Sequence, residues 1–409
     1  MIFPFFLALY GLGHALIWYA VVSGLQLLAF GQGLLALILL ALAAAPFLAR
    51  RLERRGYIKM ARVFAWAGYT WAGLVLFFVL ARVVTDVLVG LADVLDPHTV
   101  HGTMAFSSLL VTGLLTVVLA AYAFIERSRI RVETIDVPTA KGMGELSLLR
   151  VAQISDVHIG SMNGRRRVRT IVRRLNELHP DVVVSTGDLV DSRTGFAVSI
   201  SRLLAMVQPP LGKFAVIGNH EYYAGLPSSL AFMERSGFTV LRNSAVSLRG
   251  INLVGMDDPA TGRPAQLAEK EVEVLRAVPA GVFTILLKHR PDLVRGSQAR
   301  FDLQLSGHTH KGQMFPLGLV TRLYYPTLAG LFRLARTSYL YVSRGTGTWG
   351  PPFRLLATPE ITVFTIGPGR PDPGGQRVPA ARAAASGGAG RRASAPAAAR
   401  VADGHSRSS

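Results

Sequence analysis

Five short stretches of this 409-residue chain hold side chains that bind metals or move protons. They are Ser155-Asp156-Val157-His158, Gly187-Asp188-Leu189-Val190-Asp191, Gly218-Asn219-His220-Glu221, His289, and Gly307-His308-Thr309-His310. Five of the ten histidines fall in them, each within three residues of a Gly, Asp or Asn. The chain has no cysteine, so disulfides, thiolate zinc sites, iron–sulfur clusters and Cys nucleophiles are excluded. Carboxylate, carboxamide and imidazole ligands suit manganese, iron or zinc. Asp156, His158, Asp188, Asn219, His289, His308 and His310 make seven candidate ligands, too many for one catalytic ion with open positions. They suit two divalent ions that share a carboxylate. Any one of these stretches alone reads as a turn or a satisfied polar pair; the set carries the chemistry.

Each stretch follows a short β-branched run. The runs 149–154, 182–185, 214–217, 283–288 and 303–306 read as strands, as do 253–256, 339–343 and 361–366. A helix is predicted over 165–178, with Ile171, Leu175 and Leu178 on one side. Continuous apolar strands alternating with helices imply an α/β fold whose strands are covered on both faces. In such sheets ligands bind beyond the carboxyl ends of the strands, so five neighbouring ends would deliver the seven residues to one cleft. The glycines keep those turns tight.

Asp-x-His, Gly-Asp-x-x-Asp, Gly-Asn-His-Glu, a strand-end His and Gly-His-x-His, in this order over residues 149–310, resemble the signature of the calcineurin-like metallophosphoesterases. The later stretch Tyr341-Val342-Ser343-Arg344-Gly345 through Pro359-Glu360-Ile361 resembles a membrane-associated branch of YaeI- and YkuE-type phosphodiesterases. The resemblance implies a four-layer αββα sandwich. It implies that Asp156, His158, Asp188 and His310 hold one metal. Asp188, Asn219, His289 and His308 would hold the second, with Asp188 bridging. It places His220 near the phosphate, off the metals and oriented by Asp191. Two ions about 3.5–4 Å apart supply hydroxide at neutral pH for in-line attack on phosphorus, and they neutralise charge on the phosphoryl oxygens. A protonated His220 would donate to the leaving oxygen. The phosphoprotein phosphatases of the superfamily carry Gly-Asp-x-Val-Asp-Arg-Gly. Here Asp191 runs into Ser192-Arg193-Thr194, so neither a phosphoprotein substrate nor Arg193 as a phosphate clamp is expected.

The rest of the chain says where this cleft sits. Half the residues are apolar and 17% are charged, against about 25% in soluble domains. Residues 1–125 contain seven Lys/Arg and four Asp/Glu. Within them the runs 3–22, 25–49, 63–81 and 104–125 each approach the roughly 17–25 residues of a membrane-spanning helix. The first lacks a basic n-region and reads as a retained helix, not a signal peptide. Arg50, Arg51, Arg54, Arg55, Lys59 and Arg62 follow the second run, and Arg127, Arg129 and Arg131 follow the fourth. Asp93 and Asp96 mark the loop between. The positive-inside rule then puts the N-terminus and everything after residue 126 in the cytoplasm of a multi-pass inner-membrane protein.

The expected organisation is four transmembrane helices over 1–126, the metallophosphoesterase domain over 127–367, and a disordered Ala/Gly/Pro/Arg tail over 368–409. The net charge of +19, 44 basic less 25 acidic residues, fits membrane anchoring. There is no basic–aromatic nucleic-acid module, so nucleic acid is not an expected partner and no protein partner is evident. Six arginines of the 165–178 helix (Arg165, Arg166, Arg167, Arg169, Arg173 and Arg174) could attract anionic lipid. The segment 318–338 mixes Leu319, Leu323, Tyr324, Tyr325, Leu328, Leu331 and Phe332 with Arg322, Arg333 and Arg336, a composition suited to an interfacial cap that admits a lipid tail. Asp257-Asp258-Pro259 reads as a turn that could line the cleft. Arg82 and Asp86 are expected to pair at the outer end of the third span, His98 and His101 to be solvated, and His14 to be a hydrogen-bonded packing residue.

The function expected is a membrane-anchored dinuclear phosphoesterase that hydrolyses a phosphodiester or diphosphate, in a lipid or lipid-linked substrate. The alternatives are the UDP-2,3-diacylglucosamine diphosphatase step of lipid A synthesis, a tethered enzyme with a soluble substrate, and a metal-binding membrane sensor that does not turn over.

Overall fold

The structure, a computed structural model, describes residues 2–95, 104–192, 198–334 and 338–369. Four long helices come first: α1 Ile2–Leu25, α2 Ala29–Arg54, α3 Ile58–Leu95 and α4 Met104–Ser128. All four are long and apolar enough to cross a membrane. At 38 residues α3 is ~57 Å long at 1.5 Å per residue, well beyond the expected run 63–81. The sequence stopped short because Arg82 and Asp86 interrupt the apolar pattern. In the structure they pair across one turn at 2.7 Å and the helix continues.

After α4 the chain builds two six-stranded sheets. One has the order β1-β12-β2-β3-β4-β5, with β1 Arg131–Thr139, β2 Leu149–Ile154, β3 Val182–Thr186, β4 Lys213–Val216, β5 Phe238–Val240 and β12 Glu360–Pro368. The other has the order β10-β11-β9-β8-β7-β6, with β6 Ser244–Leu248, β7 Ile251–Gly255, β8 Phe283–Leu287, β9 Leu303–Ser306, β10 Gly330–Arg333 and β11 Tyr339–Val342. In both, the central strands run parallel: β2, β3 and β4 in the first, β7, β8 and β9 in the second. Their carboxyl ends therefore share one rim.

The alternation of side chains makes four layers. Val151, Val182, Val184, Leu253, Ile285 and Leu305 meet between the sheets. Their neighbours Ala152, Ile154 and Val183 point the other way, under helix α5 Arg165–Leu178. Val168, Ile171, Val172 and Leu175 of α5 repeat at helical spacing and are buried, which is why this arginine-rich segment folds as an outer layer. Three shorter helices follow, α6 Val198–Ala205, α7 Asn219–Ala224 and α8 Leu226–Arg235. On the far side, Val274 and Leu275 of α9 Pro264–Ala277 cover Val254 and Leu286 of the second sheet. The fold is the αββα sandwich that the sequence implied.

Parts of α3 and α4 are packed onto this sandwich. Phe77 and Ala123 join Met314, Phe353 and Leu355 in one buried cluster. Ala49 and Ala65 enclose Met162. A Cβ on Gly73 would lie 2.3 Å from the Phe353 ring, so only glycine allows that approach. Glu126 accepts from Leu356 N at 3.0 Å and from Thr358 Oγ1 at 2.7 Å. Arg127 donates to Met162 O at 3.2 Å. Arg167, one of the six arginines that could attract anionic lipid, instead turns inward to Arg127 O and Thr346 O, and burial lowers its pKa to about 9.

Candidate metal centre

The loops after β2, β3, β4, β8 and β9 converge at the shared rim. Asp156, His158 and His310 can offer ligand atoms within 4.8 Å of one another, and so can Asp188, His289 and His308. His158 Nε2 and His310 Nε2 are 3.0 Å apart. His310 Nε2 lies 3.5 Å from Asp156 Oδ1. In the second group, His308 Nδ1 and His289 Nε2 are 3.1 Å apart. Asp188 Oδ2 faces both groups, 3.2 Å from His289 Nε2 and 3.8 Å from His158 Nε2. Bonds of about 2.0–2.2 Å to one ion put adjacent ligand atoms ~3.0–3.4 Å apart, so these spacings fit two ions with Asp188 between them. The seventh candidate, Asn219, has a buried Oδ1 with no hydrogen-bond partner. A buried orphan acceptor is rare and calls for an explanation, and a cation supplies one.

The backbone gives a second sign. Asp156, His158, Asp188, His308 and His310 all have φ between 50° and 70°. Non-glycine residues in that region cost about 1–3 kcal/mol each and persist where the surroundings enforce them. Here the loops enforce one another. Glu221 accepts from Asp188 N at 3.0 Å, Val190 N at 2.9 Å and Gly218 N at 2.7 Å. His220 N donates to Asp188 Oδ1 at 2.9 Å, and His308 N to Asp156 Oδ1 at 3.0 Å. His289 Nδ1 donates to Thr186 O at 2.8 Å, which leaves Nε2 free to ligate. A Cβ on Gly307 would come within 2.2 Å of Asp156 Oδ2, so this turn needs glycine.

The electrostatics divide the histidines. Burial, then the cationic neighbours His289 for His308 and Arg354 for His310, push both imidazoles far below their usual range. They stay neutral and ready to ligate. Burial would lower His289 as well, but the Asp188 charge and hydrogen bond raise it to about 10, so a bound ion would have to displace that proton. Burial would also lower His220, but the Asp188 charge and the Asp191 hydrogen bond raise it to about 9. Asp191 Oδ1 sits 2.7 Å from His220 Nδ1 and 3.4 Å from His158 Nδ1. Burial opposes ionisation of Asp191, yet the two imidazoles hold it well below the usual carboxylate range.

Several residues of the site had no role, or a less specific one, in the sequence reading. Glu221 lies inside the Gly-Asn-His-Glu motif, so a signal was present. Arg354 is fully buried and donates to His310 O, Arg344 O and Ala357 O; nothing in its local sequence marks it. Trp349 sets its ring edge against His220 with centroids 5.8 Å apart, and Tyr325 does the same to His308 at 5.2 Å. Asp258 both caps the turn at Pro259 and grips Arg290, next to His289, through two hydrogen bonds. Arg193, His98, His101, Arg336 and the tail from residue 370 lie outside the described residues.

A family model described as calcineurin-like phosphoesterase matches residues 149–312. A metallophosphoesterase of Aquifex aeolicus is 39% identical over 255 residues, which cover 62% of this chain and 97% of that one. The transmembrane protein with metallophosphoesterase domain of Danio rerio is 34% identical over 278 residues, 64% of this chain and 63% of that one. The metallophosphoesterase YkuE of Bacillus subtilis is 33% identical over 230 residues, 53% and 78% respectively. The chain belongs to the calcineurin-like metallophosphoesterase family. Its activity is that of a metal-dependent phosphoester hydrolase, attached to four apolar helices.

Proposed function

We propose that the protein is a membrane-anchored dinuclear phosphoesterase that cleaves a phosphodiester or diphosphate in a lipid or lipid-linked substrate. The observation that carries the dinuclear reading is Asp188, set between two imidazole-bearing groups beside the orphaned Asn219 Oδ1. Asp156, His158, Asp188 and His310 would hold one divalent ion, and Asp188, Asn219, His289 and His308 the other. Manganese, iron and zinc all suit this donor set. When bound, such a pair lowers the pKa of water towards neutrality and offsets charge on the phosphoryl oxygens.

The chain's own residues do the rest. Asp191 fixes the His220 ring through Nδ1, and Nε2 points into the cleft, 4.0 Å from Asp188 Oδ2. His220 holds a proton at Nε2 for the leaving oxygen. Trp349 packs edge-on against the His220 ring and Tyr325 against the His308 ring. The lipid reading is supported by the contacts that seat the cleft loops on α3 and α4. The basic loop between α2 and α3 supports a cytoplasmic active site.

The test assays the detergent-solubilised protein on bis-p-nitrophenyl phosphate beside UDP-2,3-diacylglucosamine, with and without manganese. Metal-dependent release from both places the enzyme in lipid A synthesis. Release from the artificial diester alone keeps the chemistry and removes that pathway. His220→Ala should lower turnover about 10²–10⁴-fold with metal content unchanged. Loss of both metals in that variant would overturn the role given to His220.

A further inference from the structure

Helix α10, Leu317–Tyr324, buries none of its residues. Leu319 and Leu323, one turn apart, are 62% and 80% exposed, and Phe315, one turn before Leu319, is 47% exposed. A short helix that holds large apolar side chains in water loses about 25 cal/mol for each Å² left uncovered. Arg322 and Lys311 are exposed beside this stripe. Charged heads next to an apolar stripe are the pattern of an element that lies at a bilayer surface.

The position of α10 says which surface. At its start, Leu317 packs on the cluster formed by Phe77 of α3, Ala123 of α4, Met314 and Phe353. Just past its end, Tyr325 stands against the ring of His308. The helix thus runs from the flank of the membrane bundle to the rim of the metal centre. Phe124 and Ile125, next to Ala123 on α4, are 48% and 50% exposed. Those side chains need hydrocarbon, and a helix anchored on the same buried cluster meets the same bilayer.

We infer that α10 seats its Phe315–Leu319–Leu323 stripe in the headgroup–acyl boundary of the bilayer. An amphiphile then reaches the cleft from within its own leaflet, passing over α10 with its chain still in lipid. The occupant of the stripe is the lipid bilayer, argued from its continuity with the spanning helices. The route of entry, though not the insertion, rests on the function proposed above.

The absence of native cysteine makes single-site labelling direct. Leu319→Cys, Leu323→Cys and Met206→Cys are each labelled with a nitroxide in the full-length protein. Met206 is also exposed but lies in the turn after the helix Val198–Ala205, which packs beside α5. The variants are reconstituted in vesicles of phosphatidylethanolamine and phosphatidylglycerol. Oxygen should relax the labels at 319 and 323 more than a water-soluble nickel chelate does, with the reverse at 206. A chelate that dominates at 319 and 323 overturns the insertion. So does shielding from both reagents, the mark of a protein partner or a second copy.

A second measurement reads the route. Leu319→Ser combined with Leu323→Ser should lower turnover of hexadecyl p-nitrophenyl phosphate in vesicles about tenfold, ~1.4 kcal/mol, and leave bis-p-nitrophenyl phosphate within twofold. Equal loss on both substrates overturns the route. If the unmutated protein turns over neither substrate, the phosphoesterase reading fails, and the labels still decide the insertion.

Discussion

The metal cleft and the membrane bundle both hold polar side chains among apolar ones, and they treat them in opposite ways. In the bundle, His14 is settled on both nitrogens. Nδ1 meets Tyr10 O at 2.7 Å, and Nε2 accepts from Trp71 Nε1 at 2.9 Å. Thr85 donates to Ala81 O, and Thr112 donates to Thr85. Arg82 pairs with Asp86. The orphans there, Tyr10 Oη and Ser108 Oγ, are neutral hydroxyls. In the cleft, five ligand residues hold left-handed backbone, imidazole nitrogens face one another at 3.0 and 3.1 Å, and a carboxamide oxygen has no partner. Local satisfaction marks structure. Charge and strain held in place by neighbouring loops mark a site built for something else to bind.

The largest test of that contrast is Asp188→Asn. The carboxylate common to both groups becomes neutral while its backbone contacts remain. Turnover of bis-p-nitrophenyl phosphate should fall by about 10³-fold or more, ~4 kcal/mol. Bound metal, measured by inductively coupled plasma mass spectrometry, should fall with it. Thermal unfolding separates this from loss of fold. A variant that keeps its metals and loses less than tenfold in rate would show that the Asp188 carboxylate is not shared.

Glu221→Gln probes the enforcement of strain, and the effect is smaller. One carboxylate accepts three backbone N–H groups from two ligand loops. An amide offers a single acceptor oxygen and turns its own donors toward N–H groups. Metal affinity should weaken about 10–100-fold, and turnover should recover with excess manganese. Unchanged affinity would mean that the loops keep their shape without this tie.

What the sequence disclosed follows from which forces are local. The ligand set was legible because metal chemistry restricts residue types, and because apolar runs such as 149–154 and 303–306 end abruptly in polar ligands. Both strands have those bounds in the structure. β1 was not foreseen. Its Arg131, Glu133 and Asp136 give no strand pattern, and it is held by a nine-residue parallel register with β12 from the far end of the chain. β5 and β10 are too short to show a period. The left-handed φ of Asp156 or His310 is invisible in sequence, since no glycine stands there. Nor could any local pattern join Glu126 to Thr358, more than two hundred residues apart, or turn Arg167 inward. Contacts of that separation exist only once the sandwich is assembled.

His14→Phe tests the other half of the contrast. It strands the Trp71 indole N–H in the bundle, so thermal stability in detergent should drop by ~1 kcal/mol. Turnover should stay within twofold of the unmutated protein. A large rate loss at constant stability would mean that a locally satisfied histidine still serves the reaction, and satisfaction would no longer separate the two regions.

The smallest effect on turnover is expected at Lys213, a buried charge in the sandwich but away from the cleft. Its Nζ donates to Leu204 O at 2.7 Å and Ser236 O at 2.6 Å, so by the same criterion it is structural. Burial lowers its pKa from 10.5 to about 8. The sign follows. Below about pH 8 both folded and unfolded chains carry the charge, and the folded chain bears the full cost of burying it. Between about 8 and 10.5 the folded chain releases the proton and the unfolded chain does not, so that cost shrinks as pH rises. The Tm of the unmutated protein minus that of Lys213→Met should therefore rise by several °C across this window, with turnover at pH 7 alike in both. A flat difference would mean that the two carbonyls already stabilise the ammonium as well as water does. A drop in turnover would instead tie the first sheet's amino-terminal edge to the metal centre, and the division between structural and functional charge would have to be redrawn inside the sandwich itself.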